Sequence, residues 1–221
     1  MAFLKAHWQM LVLAALIFAL WRTPVALPLK LLVVLFHELS HGLAAVLTGG
    51  RIEGLTVTPD RGGLALTRGG SRIAVLTAGY LGSLVIGLAL FAVALRSTAD
   101  RLVLGALGTL LLVVAALYIR DGFALFFCLA GGGLMLAGAR FLPRLGADLV
   151  LRVIGLASMI YVPWDILSDT ILRAGERSDA RMMAEEIGGA TVLWGALWLI
   201  ASLAAIVLGL RVLSRGESHL S

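Results

Sequence analysis

Seven runs of apolar residues, separated by short breaks of polar, proline or glycine residues, dominate the pattern of hydrophobic and polar positions along the chain. Most of these runs have the length of about 20 residues that a helix needs to cross a bilayer. The first run is shorter, but tryptophans at both of its ends suit the aromatic belts of a membrane helix. We therefore predict seven membrane-spanning helices, at residues 7–21, 27–47, 73–95, 102–119, 123–139, 149–172 and 187–213.

The break at residues 51–68 is long and carries a pattern of its own. Apolar residues recur at short intervals on both sides of residues 58–63, where Pro-Asp and Gly-Gly are typical of a chain reversal between two strands. The pattern predicts a β-hairpin directly after the second helix. This hairpin is either a plain connector or a strand edge that holds a substrate segment. A second long break, at residues 173–186, is highly charged, and we expect it to be a loop.

The composition indicates a protein whose core is built against lipid. Of the 221 residues, 60% are hydrophobic and 14% are charged, whereas a soluble domain is nearer to half apolar and a quarter charged. The predicted fold class is an all-α polytopic membrane protein, a single membrane domain over residues 1–221 with about seven transmembrane helices and one short β-hairpin. The net charge of +5 comes mostly from arginines spread over the loops. That distribution is unlike the basic patch of a nucleic-acid-binding protein, so we expect no nucleic-acid partner.

Three ionisable side chains interrupt the second apolar run, in the sequence His-Glu-Leu-Ser-His at residues 37–41. Residues four apart on a helix share a face, so His37 and His41 present their imidazoles together. Two neutral imidazoles hold a zinc ion well, and the neighbouring carboxylate of Glu38 is a suitable general base for water. The alternative is a polar patch satisfied by neighbouring helices. Ionisable groups at lipid depth are costly and usually mark functional sites, so the pattern predicts a metal site with Glu38 as its catalytic residue.

Two carboxylates also interrupt the sixth apolar run. Asp165 and Asp169 lie four residues apart and share a helix face. A carboxylate within a span pairs with a cation, lines a water path or binds a metal. Arg173 follows Asp169 by four residues, so an ion pair at the end of the helix is an alternative role for Asp169.

With both stretches in view, the chain resembles the site-2 protease family of intramembrane zinc metalloproteases, in particular a short branch without a PDZ domain. The resemblance rests on HELSHGLAAVLTGG at residues 37–50, on the predicted hairpin, on Ala-Gly-Tyr-Leu-Gly at residues 78–82 and on the helix around Asp165. It covers a protease-like core at about residues 30–185 and leaves extra helices at both ends. The family usually carries its aspartate in an Asn-Pro…Leu-Asp-Gly sequence, whereas this chain has Pro-Trp-Asp-Ile at residues 163–166.

The resemblance implies a zinc ion held by His37, His41 and an aspartate from a later helix, with Glu38 activating water. It implies a protease that cuts a membrane-protein substrate in or near its transmembrane segment, within the lipid bilayer. We expect a multi-pass integral protein of the plasma (inner) membrane of a prokaryote. One alternative is a non-proteolytic membrane protein with a structural metal site. The other is a metal or ion transporter that uses His37, His41 and Asp165, although the sequence has no visible inverted repeat.

The third metal ligand is either Asp165 or Asp169 on the sequence alone. Depth favours Asp165, because Asp169 lies one turn nearer to the charged segment that begins at Arg173. Pro163 also loosens the backbone just before Asp165, which helps that carboxylate turn toward the histidines. We therefore predict that Asp165 is the third ligand. Asp169 is the alternative ligand, or it holds the ligands in place without contacting the metal.

Overall fold

The computed structural model describes residues 2–60, 62–173 and 175–213, with side chains from residue 10 onward in these ranges. This part of the chain forms eight α-helices and two β-strands. They are α1 (Ala2–Leu20), α2 (Leu27–Leu47), β1 (Arg51–Val57), β2 (Gly63–Arg68), α3 (Arg72–Arg96), α4 (Asp100–Tyr118), α5 (Gly122–Phe141), α6 (Arg144–Leu167), α7 (Asp179–Ile187) and α8 (Thr191–Leu213). A 3₁₀ turn (Pro24–Ala26) leads into α2, and a π-helical turn (Ser168–Leu172) extends α6.

The predicted class of α-helical, polytopic membrane protein with a small hairpin is confirmed. Six helices in the described ranges, α2 to α6 and α8, are long and apolar enough to cross a membrane. The remaining predicted span, the first along the chain, corresponds to α1, whose described apolar part, Met10–Leu20, is shorter. The prolines before and within the first turn of α2 occupy positions where a missing N–H costs little.

The helices α2, α3 and α6 pack against one another at the centre of the bundle. Glycines bring α3 and α6 close together, since a Cβ added to Gly155 would lie 2.6 Å from the Cβ of Phe91. The helices α4 and α5 pair with each other. Most of the span in α5 and in α8 is not buried in the protein, and large apolar side chains such as Phe126 lie exposed there. These outer helices therefore present the surface that suits lipid.

The two strands form an antiparallel hairpin that folds back along α2. Pairing runs from Arg51 opposite Arg68 to Val57 opposite Gly63. At the start of β1, the side chain of Ile52 lies against Gly42 of α2, where an added Cβ would be 2.7 Å from Ile52 Cδ1. At the tip, Asp60 lines a cavity together with Lys30 near the beginning of α2. The hairpin thus lies at the depth of a spanning helix, where its unpaired edge amides need protein or water partners.

The prediction of a loop at residues 173–186 is wrong for its second half, which forms α7. The Ser178 hydroxyl caps this helix by accepting a hydrogen bond of 3.3 Å from the N–H of Arg181. Ala180 and Met183, three residues apart on one face, are fully buried. The short apolar stripe is interspersed with charged residues, so the local composition favours a solvated loop although packing stabilises a helix.

Candidate active site

His37 and His41 lie together on one face of α2. Their ring centroids are 4.6 Å apart with the rings edge to face. The Nδ1 atom of His41 lies 2.6 Å from the backbone carbonyl oxygen of Val75 on α3. Because a carbonyl only accepts, Nδ1 carries the proton and donates it, and Nε2 keeps its lone pair for a metal. The helix α3 therefore orients the second histidine of the pair.

The carboxylate of Asp179, at the start of α7, meets both imidazoles. Its Oδ2 atom lies 2.9 Å from His37 Nε2 and 3.1 Å from His41 Nε2. The first turn of a helix favours a negative charge, because the backbone N–H groups there point toward it. Burial raises the pKa of the Asp179 carboxyl, but the positive charge and hydrogen bonds that the imidazoles of His41 and His37 supply in their protonated form outweigh burial and hold that pKa below its usual range.

His37, His41 and Asp179 are a group of metal-ligating side chains whose donor atoms lie within 4.8 Å of one another. Two imidazole nitrogens and a carboxylate oxygen, with one position left for water, make up a common ligand set of catalytic zinc sites. Bonds of about 2.0–2.1 Å in a tetrahedron place the ligand atoms about 3.3 Å apart, which is close to the separations found here. The three residues fit a zinc ion bound through the two Nε2 atoms and Asp179 Oδ2.

Asp165 and Asp169, the two carboxylates considered from the sequence, lie in a separate ion-pair cluster. Arg173 Nη2 pairs with Asp169 Oδ1 and lies 3.6 Å from Asp165 Oδ1. Asp169 also accepts a hydrogen bond from the Tyr80 hydroxyl. The ring of Tyr80 in turn stands edge-on to His37, with centroids 4.7 Å apart. Burial lowers the pKa of Arg173, but Asp169 and Asp165 raise it by more, so the guanidinium is firmly charged.

The structure therefore brings Asp179, and not Asp165, to the two histidines. The depth argument places a ligand inside the sixth predicted span, but the chain turns back after α6 and packs α7 on α3, so that Asp179 at its beginning reaches the histidines. One local signal for Asp179 was present in the sequence. Ser178 and Asp179 are a cap residue and a first-turn acid, which commonly begin a helix.

Glu38 lies beside the histidines and under the strand β2. It is 6% exposed, and the backbone N–H of Ala65 in β2 faces its carboxylate. Gly63 is packed so closely on Glu38 that a Cβ there would overlap the carboxylate. The hairpin therefore holds the candidate general base at the site.

The two outer edges of the hairpin have different surroundings. On β1, Gly54 faces the backbone oxygen of Tyr118, and the Thr56 hydroxyl donates a hydrogen bond to Asp121, so this strand rests on the connection between α4 and α5. On β2, residues 63–67 line a cavity, as does Gly62 just before the strand. The open edge of the hairpin is thus the β2 edge.

Gly79 explains why the Ala-Gly-Tyr sequence of α3 lies next to the histidines. A Cβ at this position would lie 2.5 Å from His37 Nε2 and 2.6 Å from His41 Nε2. Any larger residue would press on the two atoms that point to the metal position. The small residue permits the close approach of α3 that also places Val75 and Tyr80.

A cavity of about 560 Å³ opens over these groups. Its walls come from α2, β2, α3, the end of α6 and the beginning of α7. The helix α6 and the strand β2 both pack on α2 but not on each other, so the cavity separates them. A second cavity of about 280 Å³ extends toward Lys30 and shares Asp165 and Arg173 with the first.

A family model described as Peptidase M50B-like matches residues 10–209. This match covers nearly the whole chain, including both histidines, Glu38, the hairpin and Asp179. The chain belongs to the Peptidase M50B-like family. Membership confirms the resemblance to site-2 proteases that the sequence indicates, and it makes this chain an integral membrane member of a peptidase family. Neither the curated proteins nor the solved structures that were compared with this M50B-like chain match it.

Proposed function

We propose that this M50B-like protein is an intramembrane zinc metalloprotease that hydrolyses a peptide bond in or near a transmembrane segment of a partner protein. The observation that carries the proposal is the convergence of His37, His41 and Asp179 on one point beside Glu38, at the floor of a polar cavity. Glu38 is the proposed catalytic residue, and the proposed third ligand is Asp179 in place of Asp165. A cavity that leaves the metal position open favours a catalytic site over a structural one, which protein ligands usually close.

Hydrolysis of a peptide bond at this site requires a metal and a general base, and it releases an amine. A zinc ion bound by the three ligands supplies Lewis acidity, which lowers the pKa of a water to about 7 and polarises a carbonyl group. Glu38 takes one proton from the attacking water as the water oxygen bonds to the carbonyl carbon. It then delivers that proton to the amide nitrogen as the carbon–nitrogen bond breaks.

A substrate helix must unwind before it can react, because its amides are bonded within the helix. The unpaired edge of β2 offers hydrogen bonds to such an extended segment, in the manner of an added strand. A strand edge that holds substrate is one of the two roles that the sequence allows for the hairpin. The contacts of the two strands favour the β2 edge, at residues 63–67, for that role.

Zinc content and cleavage together test the proposed function. We expect one zinc per purified chain, and none in a His37→Ala/His41→Ala double variant, by elemental mass spectrometry. In cells, fragments ending within transmembrane segments of other proteins should accumulate with the wild-type chain and not with the double variant. Equal zinc in both proteins contradicts the metal site, and identical fragment profiles with a zinc difference contradict proteolysis.

Photo-crosslinking tests the substrate edge. A crosslinking residue replaces Leu66 on β2 or, as the matched control, Glu53 on β1, since both side chains are exposed. The probe is a single-span apolar peptide with a central Gly-Pro pair that loosens its helix, compared with the same peptide carrying Ala-Leu instead. We expect several-fold more adduct at position 66 than at 53, and only with the loosened peptide. Equal adducts at both positions would make the hairpin a plain connector.

A further inference from the structure

We infer that Arg173 binds the negatively charged oxygen that forms on the substrate carbonyl during hydrolysis. This inference rests on the proposed function and adds a second catalytic residue to it. As water adds to the carbonyl carbon, the carbonyl electron pair moves onto its oxygen, and Glu38 holds the proton removed from water. Arg173 donates an N–H hydrogen bond to that oxygen without transferring a proton. The bond is lost when the carbonyl reforms and the amine leaves.

The charge of the cavity favours such a partner in addition to the metal. Of the described residues that line it, five are acidic and three are arginines. An additional negative charge is unfavourable among so many carboxylates unless a fixed cation or dipole faces it. Asparagine and glutamine amides are common donors for this purpose. The chain contains no asparagine, and its single glutamine, Gln9, lies in α1.

Arg173 is the arginine that the cavity wall itself holds in place. Its Nη2 is bound by Asp169 and lies 3.6 Å from Asp165, and its Nε donates to the Ser168 hydroxyl at 3.1 Å. Its Nη1 lies 3.8 Å from Glu176 Oε2, which is too far for a hydrogen bond. The guanidinium is therefore fixed on one side and keeps N–H groups for a ligand on the other.

The backbone around Arg173 is also unusual. The π-helical turn Ser168–Leu172 ends with the Arg173 N–H bonded to the Ser168 carbonyl at 2.8 Å. Turns of this kind are rare and often occur at functional sites. The turn widens α6 where its side chains reach the cavity. It thereby places the guanidinium, whose side chain is 44% exposed, across the cavity from β2.

The placement suits a substrate strand that is paired with β2. Alternate carbonyls of an extended segment point to opposite edges, so those that are not bonded to β2 point toward α6. Tyr80 is a less suitable donor, because its hydroxyl proton is already given to Asp169. Tyr80 and the two aspartates are positioning residues that keep the guanidinium in the wall of the cavity.

Two inhibitor-like probes test the inference through binding to zinc-loaded protein. Both are blocked, amidated apolar tripeptides. One carries a tetrahedral phosphonate in place of an amide, and the other carries a thiol that binds a metal but lacks the charged oxygen. Titration calorimetry compares wild type with Arg173→Met, Arg173→Lys and, as a matched arginine at the same cavity, Arg177→Met.

We expect Arg173→Met to weaken phosphonate binding by about ten- to hundredfold, the range of a hydrogen bond to a charged group. Thiol binding and zinc content should stay within threefold, and Arg173→Lys should recover part of the loss. Arg177→Met should change neither affinity by more than threefold. Retained thiol binding also shows that the variant is folded.

The inference is overturned if Arg173→Met binds both probes as tightly as wild type does, or if it loses affinity for both probes equally. It is also overturned if Arg177→Met loses as much affinity for the phosphonate as Arg173→Met does. Two different outcomes would contradict the proposed function itself. A zinc-loaded wild type that binds neither probe has no open hydrolytic metal site, and a wild type without zinc lacks the metal centre. Either of those results removes the proposed function and the inference with it, whereas a defect confined to the arginine variants concerns the inference alone.

Discussion

Replacing Glu38 by glutamine is expected to lower the rate constant for cleavage by about a hundred- to ten-thousandfold, the usual contribution of a general base. Glutamine has nearly the same shape as glutamate but cannot take a proton from water. Its amide oxygen can face the backbone N–H of Ala65 as the carboxylate of Glu38 does. Since Glu38 is not one of the three clustered ligands, zinc content should remain at one ion per chain.

The measurement is single-turnover cleavage of a membrane substrate, alongside zinc analysis of the same preparation. Glu53→Gln is the matched control, because Glu53 lies on the far strand of the hairpin and pairs with Arg51. We expect wild-type cleavage from this control. Cleavage by Glu38→Gln within tenfold of wild type would point to a different base. Loss of zinc from that variant would place Glu38 among the ligands.

Replacing Asp179 by asparagine is expected to remove zinc from the purified protein. The carboxylate oxygen that approaches both histidine nitrogens at 2.9 and 3.1 Å would lose its charge, and a neutral amide is a poor zinc ligand. The loss of affinity should exceed the roughly ten- to hundredfold that follows when a residue supporting the ligands is changed. Competition against a chelator of known zinc affinity measures it.

Asp165→Asn is the decisive comparison, because the sequence predicts Asp165 as the third ligand. If Asp179 is the ligand, Asp165→Asn should cost at most about ten- to hundredfold in zinc affinity, as a change in the supporting contacts does. Asp169→Asn should behave likewise. The opposite order, with zinc lost from Asp165→Asn and kept by Asp179→Asn, would restore the ligand set predicted from the sequence.

The helices and the histidine pair were predictable because their signals are local. A run of about 20 apolar residues bounded by glycine or proline has few alternatives to a spanning helix. The spacing of His37 and His41 places them on one face of any helix. The family match over residues 10–209 agrees with the family that the His-Glu-Leu-Ser-His sequence indicates.

The position of Asp179 was not predictable in the same way. Its neighbours are charged, and helices of nine residues such as α7 gain most of their stability from packing on other elements. Whether such a segment returns to the site depends on the turn after α6, which is a property of the whole bundle. The direction of the hairpin likewise depends on its packing against other elements. Turn residues predict a reversal, but contacts such as that of Ile52 with Gly42 decide that it lies along α2.

The place of Asp179 in the chain has a consequence for biosynthesis. Asp179 follows His37 by 142 residues, so both histidines leave the ribosome long before the proposed third ligand exists. At synthesis rates of about 5 to 20 residues per second, this interval lasts roughly seven to thirty seconds. A nascent chain cannot complete the three-ligand site during that time. Under the proposed function, the growing protein therefore has no peptidase activity while its first helices insert, and it gains that activity only after α6 has been made.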